Sequence, residues 1–131
     1  MIDFSNAILK NTLVIGCGSF IGGAARYLIS LLMKTLCQGF PWGTLIVNLL
    51  GCFFIGIIFA IFSKNSSTDN TLYLLLATGI CGGFTTFSTF ANESVQMLQQ
   101  GNTTGFIAYV ATSIIAGFAL IALGYWIVKA F

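Results

Sequence analysis

Four apolar stretches, residues 12–33, 42–62, 71–98 and 105–128, follow one another along this chain with short polar breaks between them. A helix needs about 20 mostly apolar residues to cross a hydrocarbon core of about 30 Å, and each stretch reaches that length. The bilayer offers no water to free backbone N–H and C=O groups, so a lipid-exposed segment of this kind must be helical. The expected fold is an all-α membrane protein with four transmembrane helices. Residues 1–131 make one such domain, with no length left for a soluble one.

Composition supports a membrane location and excludes several functions. Hydrophobic residues make up 57% of the chain and charged residues 6%, with a mean hydropathy of +0.98; an average soluble domain carries roughly 25% charged residues. The eight charged side chains, Asp3, Lys10, Arg26, Lys34, Lys64, Asp69, Glu93 and Lys129, mostly punctuate the edges of the apolar runs. A net charge of +2, scattered in this way, gives no footprint for nucleic acid and no basic tract for anionic lipid. Histidine is absent, and Cys17, Cys37, Cys52 and Cys81 show no CxxC spacing, so zinc, haem attachment and thioredoxin-like chemistry have no ligands. These cysteines read as free thiols acting as small hydrophobes. No nucleophile stands beside a base and no carboxylates pair, so an enzyme is not expected. Val14-Ile15-Gly16-Cys17 looks like a lipoprotein box, but no basic leader precedes it and the apolar run continues to Met33. The first helix is therefore expected to be retained.

The connections at 34–41, 63–70 and 99–104 have turn-forming compositions, and Pro41-Trp42 marks a helix start at the headgroup level. The third stretch is anomalous: its 28 residues at about 1.5 Å each reach roughly 42 Å, beyond the hydrocarbon core. Glycine and threonine crowd its middle, from Gly79 to Thr86, where a helix can unwind inside protein. The third helix is expected to be broken there. Lys10, Lys64 and Lys129 fall on one side of the membrane and Lys34 with Arg26 toward the other, too small a bias to fix orientation. A chain of this kind can insert both ways up, which makes an antiparallel homodimer feasible. Gly18 with Gly22 and Gly79 with Gly83 allow close helix approach at four-residue spacing.

Polar side chains inside the spans carry what chemistry the chain has. Arg26 either snorkels to a carbonyl partner or lines an aqueous vestibule, raising the local concentration of small anions. Thr44 and Asn48 share a helix face, as interhelical hydrogen bonders or as donors to a dehydrated anion. Unwound backbone in the run Gly82-Gly83-Phe84-Thr85-Thr86-Phe87-Ser88-Thr89-Phe90 would leave carbonyls without helical partners, the groups that replace the hydration shell of an alkali cation. Phe87 and Phe90, three apart, share a face once helix resumes. They serve either as packing or as positive ring edges toward an anion. Glu93 continues that face. Tyr109 and Ser113 share a face of the fourth span, with Thr112 adjacent, as a hydroxyl track or as helix-to-helix hydrogen bonds.

These motifs together resemble the small fluoride channels of the Fluc/CrcB type, over essentially the whole chain. The resemblance rests on Gly22-Gly23-Ala24-Ala25-Arg26-Tyr27, on Gly43-Thr44-Leu45 with Asn48 and Gly51, and on Gly79 through Phe90 with Glu93. It implies a dual-topology homodimer of eight helices, two parallel fluoride pores at the interface and a structural Na⁺ at the centre. By motif position, Gly82 and Thr85 would lend backbone carbonyls to Na⁺, shared with the same residues of the second subunit. Phe87 and Phe90 would be the aromatic box, Asn48 the amide donor and Arg26 the vestibule cation. Thr44, Ser88, Thr89, Tyr109 and Ser113 would supply hydroxyls, with Glu93 near one end of the path. Gly117 departs from the pattern, standing where related channels often continue the track with a hydroxyl.

The expected activity is passive fluoride export through the cell (inner) membrane, lowering fluoride toxicity, with Na⁺ as a static brace. The runner-up is a small multidrug-type proton-coupled antiporter, also a four-helix dual-topology dimer, whose cue would be a lone glutamate in the first span; this chain has none there. A structural membrane protein with no transported solute is the third alternative.

Overall fold

The computed structural model describes residues 2–64 and 70–130. Most of the connection expected at 63–70, including Asp69, lies outside the described residues. Helix α1 runs Ile2–Leu36 and α2 runs Trp42–Lys64. The third span, Asn70–Gln99, divides into α3 (residues 70–84) and α4 (Phe87–Gln99), and α5 runs Thr103–Ala130. All four spans are long and apolar enough to cross a membrane, and the described residues contain no strand.

Helix α1, at 35 residues, begins ten residues before its apolar run. A helix satisfies its own backbone, so it need not stop where hydrophobicity stops. Lys10 and the polar residues near it extend α1 past the expected boundary. At its other end Cys37 N–H closes on the Met33 carbonyl at 2.8 Å, and Gly39 turns the chain at φ +90°. Pro41 then precedes the first residue of α2, and its carbonyl accepts from Leu45 N–H at 3.1 Å. Gly101 at φ +75° makes the corresponding turn before α5. There Asn102 caps the helix, its Oδ1 accepting from Gly105 N–H at 2.9 Å.

Helix α3 departs from a plain α-helix. Residues Leu74–Cys81 are wound as a π-helix, with hydrogen bonds reaching five residues rather than four. Gly82–Phe84 form a last short turn, and Thr85 and Thr86 stand outside helix altogether. The break expected between Gly79 and Thr86 falls at the end of that segment. By residue count it lies about 20 Å along the helix axis from either end of the span, near mid-membrane.

Glycine contacts set the bundle. A Cβ at Gly18 would stand 2.9 Å from the Gly79 Cα, and one at Gly22 would collide with the Ile80 carbonyl, so α1 and α3 touch backbone to backbone. Gly56 and Gly124 do the same for α2 and α5, against the carbonyls of Ile121 and Phe53. At one end of the bundle, Leu45, Met97 and Tyr109 are buried together, with Phe40, Leu49, Phe90 and Phe106 packed around them. The four cysteines are free thiols.

Candidate functional site

The site begins with the backbone of the break. Thr85 (φ −79°, ψ 157°) and Thr86 (φ −149°, ψ 112°) are both extended. In an uninterrupted α-helix the Gly82 carbonyl would accept from Thr86 N–H and the Thr85 carbonyl from Thr89 N–H. Both donors are taken elsewhere. Thr86 N–H donates to Asn48 Oδ1 at 2.8 Å, and Thr89 N–H donates to Thr86 Oγ1 at 3.3 Å. No other donor among the described residues replaces them at Gly82 or Thr85. Carbonyls held away from water rarely go unmet, and unpaired ones within a membrane-spanning segment can serve a hard cation.

The Phe84 carbonyl, which would accept from Ser88 N–H in an unbroken helix, likewise has no donor among the described residues, whereas those of Cys81 and Gly83 are satisfied. Cys81 O accepts from Thr85 N–H and from Thr85 Oγ1, each at 3.0 Å. Gly83 O accepts from Arg26 Nε at 3.2 Å. Of the two readings of Arg26, the structure supplies the carbonyl partner, which ties α1 to the end of α3. Asn48 completes a two-point clamp, its Nδ2 donating to Thr86 O at 3.1 Å. One Nδ2 hydrogen remains. A Cβ at Gly51 would collide with the Thr85 methyl, so that glycine makes the seat into which the break fits.

Helix resumes at Phe87. The Phe87 and Phe90 rings lie 5.9 Å apart at 48°. Phe87 is 80% exposed on the single chain. Its ring edges a cavity of about 490 Å³ that also takes in Asn48, Gly82, Thr85, Phe90 and Ser113. Ser88 is exposed, its hydroxyl 3.4 Å from Thr86 Oγ1. Thr89 Oγ1 accepts from the Thr86 hydroxyl at 2.9 Å, which leaves the Thr89 proton free to donate.

Beyond Phe90 the path continues by aromatic contact. Phe90 packs on Tyr109 at 5.1 Å, and Tyr109 meets the edge of Phe40 at 5.4 Å. Tyr109 is fully buried, and its hydroxyl donates to Glu93 Oε2 at 2.7 Å. Thr44 Oγ1 donates to Glu93 Oε1 at 2.9 Å. This cluster opens on a second cavity of about 500 Å³ at the 37–41 turn, where Lys34 also lies. Ser113 is less engaged with other helices than its spacing suggests, since its hydroxyl donates to Tyr109 O on its own helix at 2.7 Å. At Gly117 the track ends against α2, with Cys52 Sγ 3.5 Å from where a Cβ would stand.

Of the candidate residues from the sequence, Asn48, Gly82, Thr85, Phe87, Phe90 and Ser113 meet at one cavity and Thr44, Glu93 and Tyr109 form one hydrogen-bonded cluster, whereas Ser88 and Thr89 meet at the Thr86 hydroxyl and Arg26 bonds the Gly83 carbonyl outside both cavities. Two participants carried no role in the sequence reading. Thr86 sits at the N-cap of α4, a position that its hydroxyl beside a resuming helix could have signalled. Phe40 stands immediately before Pro41, and nothing in its local sequence points to Tyr109.

Four spans, the third broken around free carbonyls and flanked by two phenylalanines, define a multi-pass protein of the cell membrane. The profile described as "CrcB-like protein, Camphor Resistance (CrcB)" matches residues 13–125, and the chain belongs to that family. Among similar proteins, one from Azobacteroides pseudotrichonymphae genomovar. CFP2 is 42% identical over 125 residues, which covers 95% of this chain and 100% of the relative. One from Leptospira interrogans is 42% identical over 123 residues, 93% of this chain and 97% of the relative. One from Escherichia coli K12 is 41% identical over 123 residues, 94% and 97% respectively. Each of the three is named a fluoride-specific ion channel, FluC.

Proposed function

We propose that this protein is a fluoride-selective channel, not an enzyme, that lets F⁻ leave the cell passively and so lowers its toxicity. One observation carries the reading: the break in the third span sets two carbonyls without helical donors beside the Phe87 and Phe90 rings and the Asn48 amide. The names of the relatives support it.

Fluoride is small and strongly hydrated, so a pore must replace its water with several hydrogen-bond donors without holding it too tightly to leave. Neutral groups suit that need. The second Nδ2 hydrogen of Asn48 and the positive edges of Phe87 and Phe90 present donors around one cavity, with the Ser88 and Thr89 hydroxyls beyond it around Thr86 Oγ1. Thr44 and Tyr109 extend them toward the mouth, where both hydroxyls already point at Glu93. An anion arriving there shares those two hydroxyls with the carboxylate. Arg26 places a cation behind the break. Ser113 lines the cavity with a hydroxyl that its own helix holds.

Gly82 and Thr85 would hold Na⁺ through their backbone carbonyls. The donor set fits the ion, being hard, neutral and oxygen-only. Bound there, Na⁺ supplies a fixed positive charge that keeps the unwound backbone satisfied.

The same carbonyls support an antiparallel pair. Unpaired backbone groups facing hydrocarbon cost several kcal/mol each, and Gly82 and Phe87 both lie on an open face of the single chain. A second copy, inverted in the membrane, would cover that face and add its own Gly82 and Thr85. The weak charge bias across the membrane is compatible with both orientations.

A bacterium made sensitive to fluoride should regain growth when it expresses this chain. The Phe87→Ile and Asn48→Asp forms should restore less growth or none. Equal rescue by wild type and both variants would favour a structural role with no transported solute.

A further inference from the structure

An unbroken helix would carry four hydrogen bonds across the break, from Thr86 N–H to the Gly82 carbonyl through Thr89 N–H to the Thr85 carbonyl, and the side chain that holds the last of them open is Thr86. Its Oγ1 accepts from Thr89 N–H at 3.3 Å, the donor that would otherwise reach the Thr85 carbonyl. Its own N–H, which would otherwise reach the Gly82 carbonyl, is turned 2.8 Å from Asn48 Oδ1. A single residue thus sits at both diversions, one through its side chain and one through its backbone.

The rest of the hydroxyl's bonding keeps it in place. Thr86 Oγ1 donates to Thr89 Oγ1 at 2.9 Å and lies 3.4 Å from Ser88 Oγ, so its proton and both lone pairs have partners. The backbone at Thr86 itself is extended, the conformation that a β-branched residue favours and an N-cap requires, and so is that at Thr85 before it. Asn48 then fixes the direction, since its amide meets both the N–H and the C=O of Thr86.

We propose that Thr86, clamped by Asn48, is a positioning residue for the cation: its hydroxyl withholds Thr89 N–H from the Thr85 carbonyl while Asn48 withholds the Thr86 N–H from the Gly82 carbonyl, and both carbonyls are left free for Na⁺. Thr86 itself need not touch the ion. This rests on the Na⁺ reading of the preceding section and gives it a cause in the sequence. Without the hydroxyl, Thr89 N–H is released to the Thr85 carbonyl, and the ion must compete with a helical hydrogen bond.

The test compares thermal unfolding of the purified full-length protein in Na⁺ with that in N-methyl-D-glucamine, alongside fluoride efflux from vesicles. Wild type should melt higher as Na⁺ is added. Thr86→Val keeps the shape and the β-branch but loses the hydroxyl. Loss of an N-cap costs about 1 kcal/mol, so its half-saturating Na⁺ should rise roughly fivefold. Thr86→Ser and Thr86→Asn, which retain a capping acceptor, should respond to Na⁺ as wild type does. A folded Thr86→Val with an unchanged Na⁺ response overturns the proposal. Should that variant fail to fold, Thr86→Asn decides: a retained response supports the proposal and a lost one overturns it.

The two readouts separate this inference from the channel reading. Wild type that moves fluoride but gains no stability from Na⁺ sinks the role of Thr86 and leaves the channel standing. Wild type that is stabilised by Na⁺ through Thr86 but moves no fluoride does the reverse.

Discussion

The two halves of the third span are held by different forces. Residues 70–84 lie backbone to backbone on α1, through Gly18, Gly22, Gly79 and Gly83, with Ser19 Oγ to Gly79 O at 3.4 Å and Arg26 Nε to Gly83 O as their polar ties. Residues 87–99 are tethered by side chains instead: Glu93 takes hydroxyls from α2 and α5, and Asn48 clamps the Thr86 backbone. Glycine packing fixes how deep and how close a helix lies. Hydrogen bonds from side chains fix which way it is turned. At the seam neither half supplies the other's missing backbone donors, and carbonyls without helical partners are left there.

Damage to the first half should be the most severe. Gly22→Leu drives a side chain into the Ile80 carbonyl, which is backbone and cannot step aside. Overpacking of that kind costs about 3 kcal/mol or more, and the folded protein should be lost from size-exclusion profiles. A well-folded Gly22→Leu would show that the two halves do not differ as described.

Damage at the seam should instead spare the fold. Phe87 is exposed on the single chain, so Phe87→Ile should leave the fold of each chain intact. Fluoride efflux should nevertheless fall by roughly tenfold, the factor that corresponds to about 1.4 kcal/mol of lost stabilisation at the barrier. A parallel loss of the folded chain would make this ring packing rather than pathway.

In the second half the tethers should show individually modest costs. Tyr109→Phe removes one hydroxyl from Glu93 while keeping the ring between Phe40 and Phe90. Hydrogen bonds between membrane helices average about 0.6 kcal/mol, so melting in detergent should drop slightly. Fluoride flux should drop further than stability does. Ser113→Ala should have the smallest effect of the series, because that hydroxyl is bonded within its own helix. Stability should stay within about 0.5 kcal/mol of wild type and efflux within the scatter between preparations.

Much of this contrast was legible in the residues. The spans follow from the width of a bilayer, the glycine contacts from four-residue spacing, and the break from Gly82, Gly83, Thr85 and Thr86 standing together in a segment too long to cross in one piece. The ends of α1 were not legible, because helix persists beyond the apolar run that marks it. The π-helical turn at Leu74–Cys81 had no composition of its own. Asn48 and Thr86 are 38 positions apart, and Phe40 and Tyr109 are further apart still. Their partnerships arise when separate helices meet, so spacing within one helix cannot reveal them. For the same reason the sequence left Asn48 open between interhelical bonding and anion donation, and most of its amide is engaged by the Thr86 backbone.

The central claim is that a small dehydrated halide passes beside the broken helix. The most direct measurement loads vesicles containing the purified protein with fluoride or with chloride and follows each anion's efflux with an ion-selective electrode. Fluoride should drain promptly while chloride stays behind. Fluoride retained in vesicles that hold intact protein, or chloride leaving as fast as fluoride, would contradict the account.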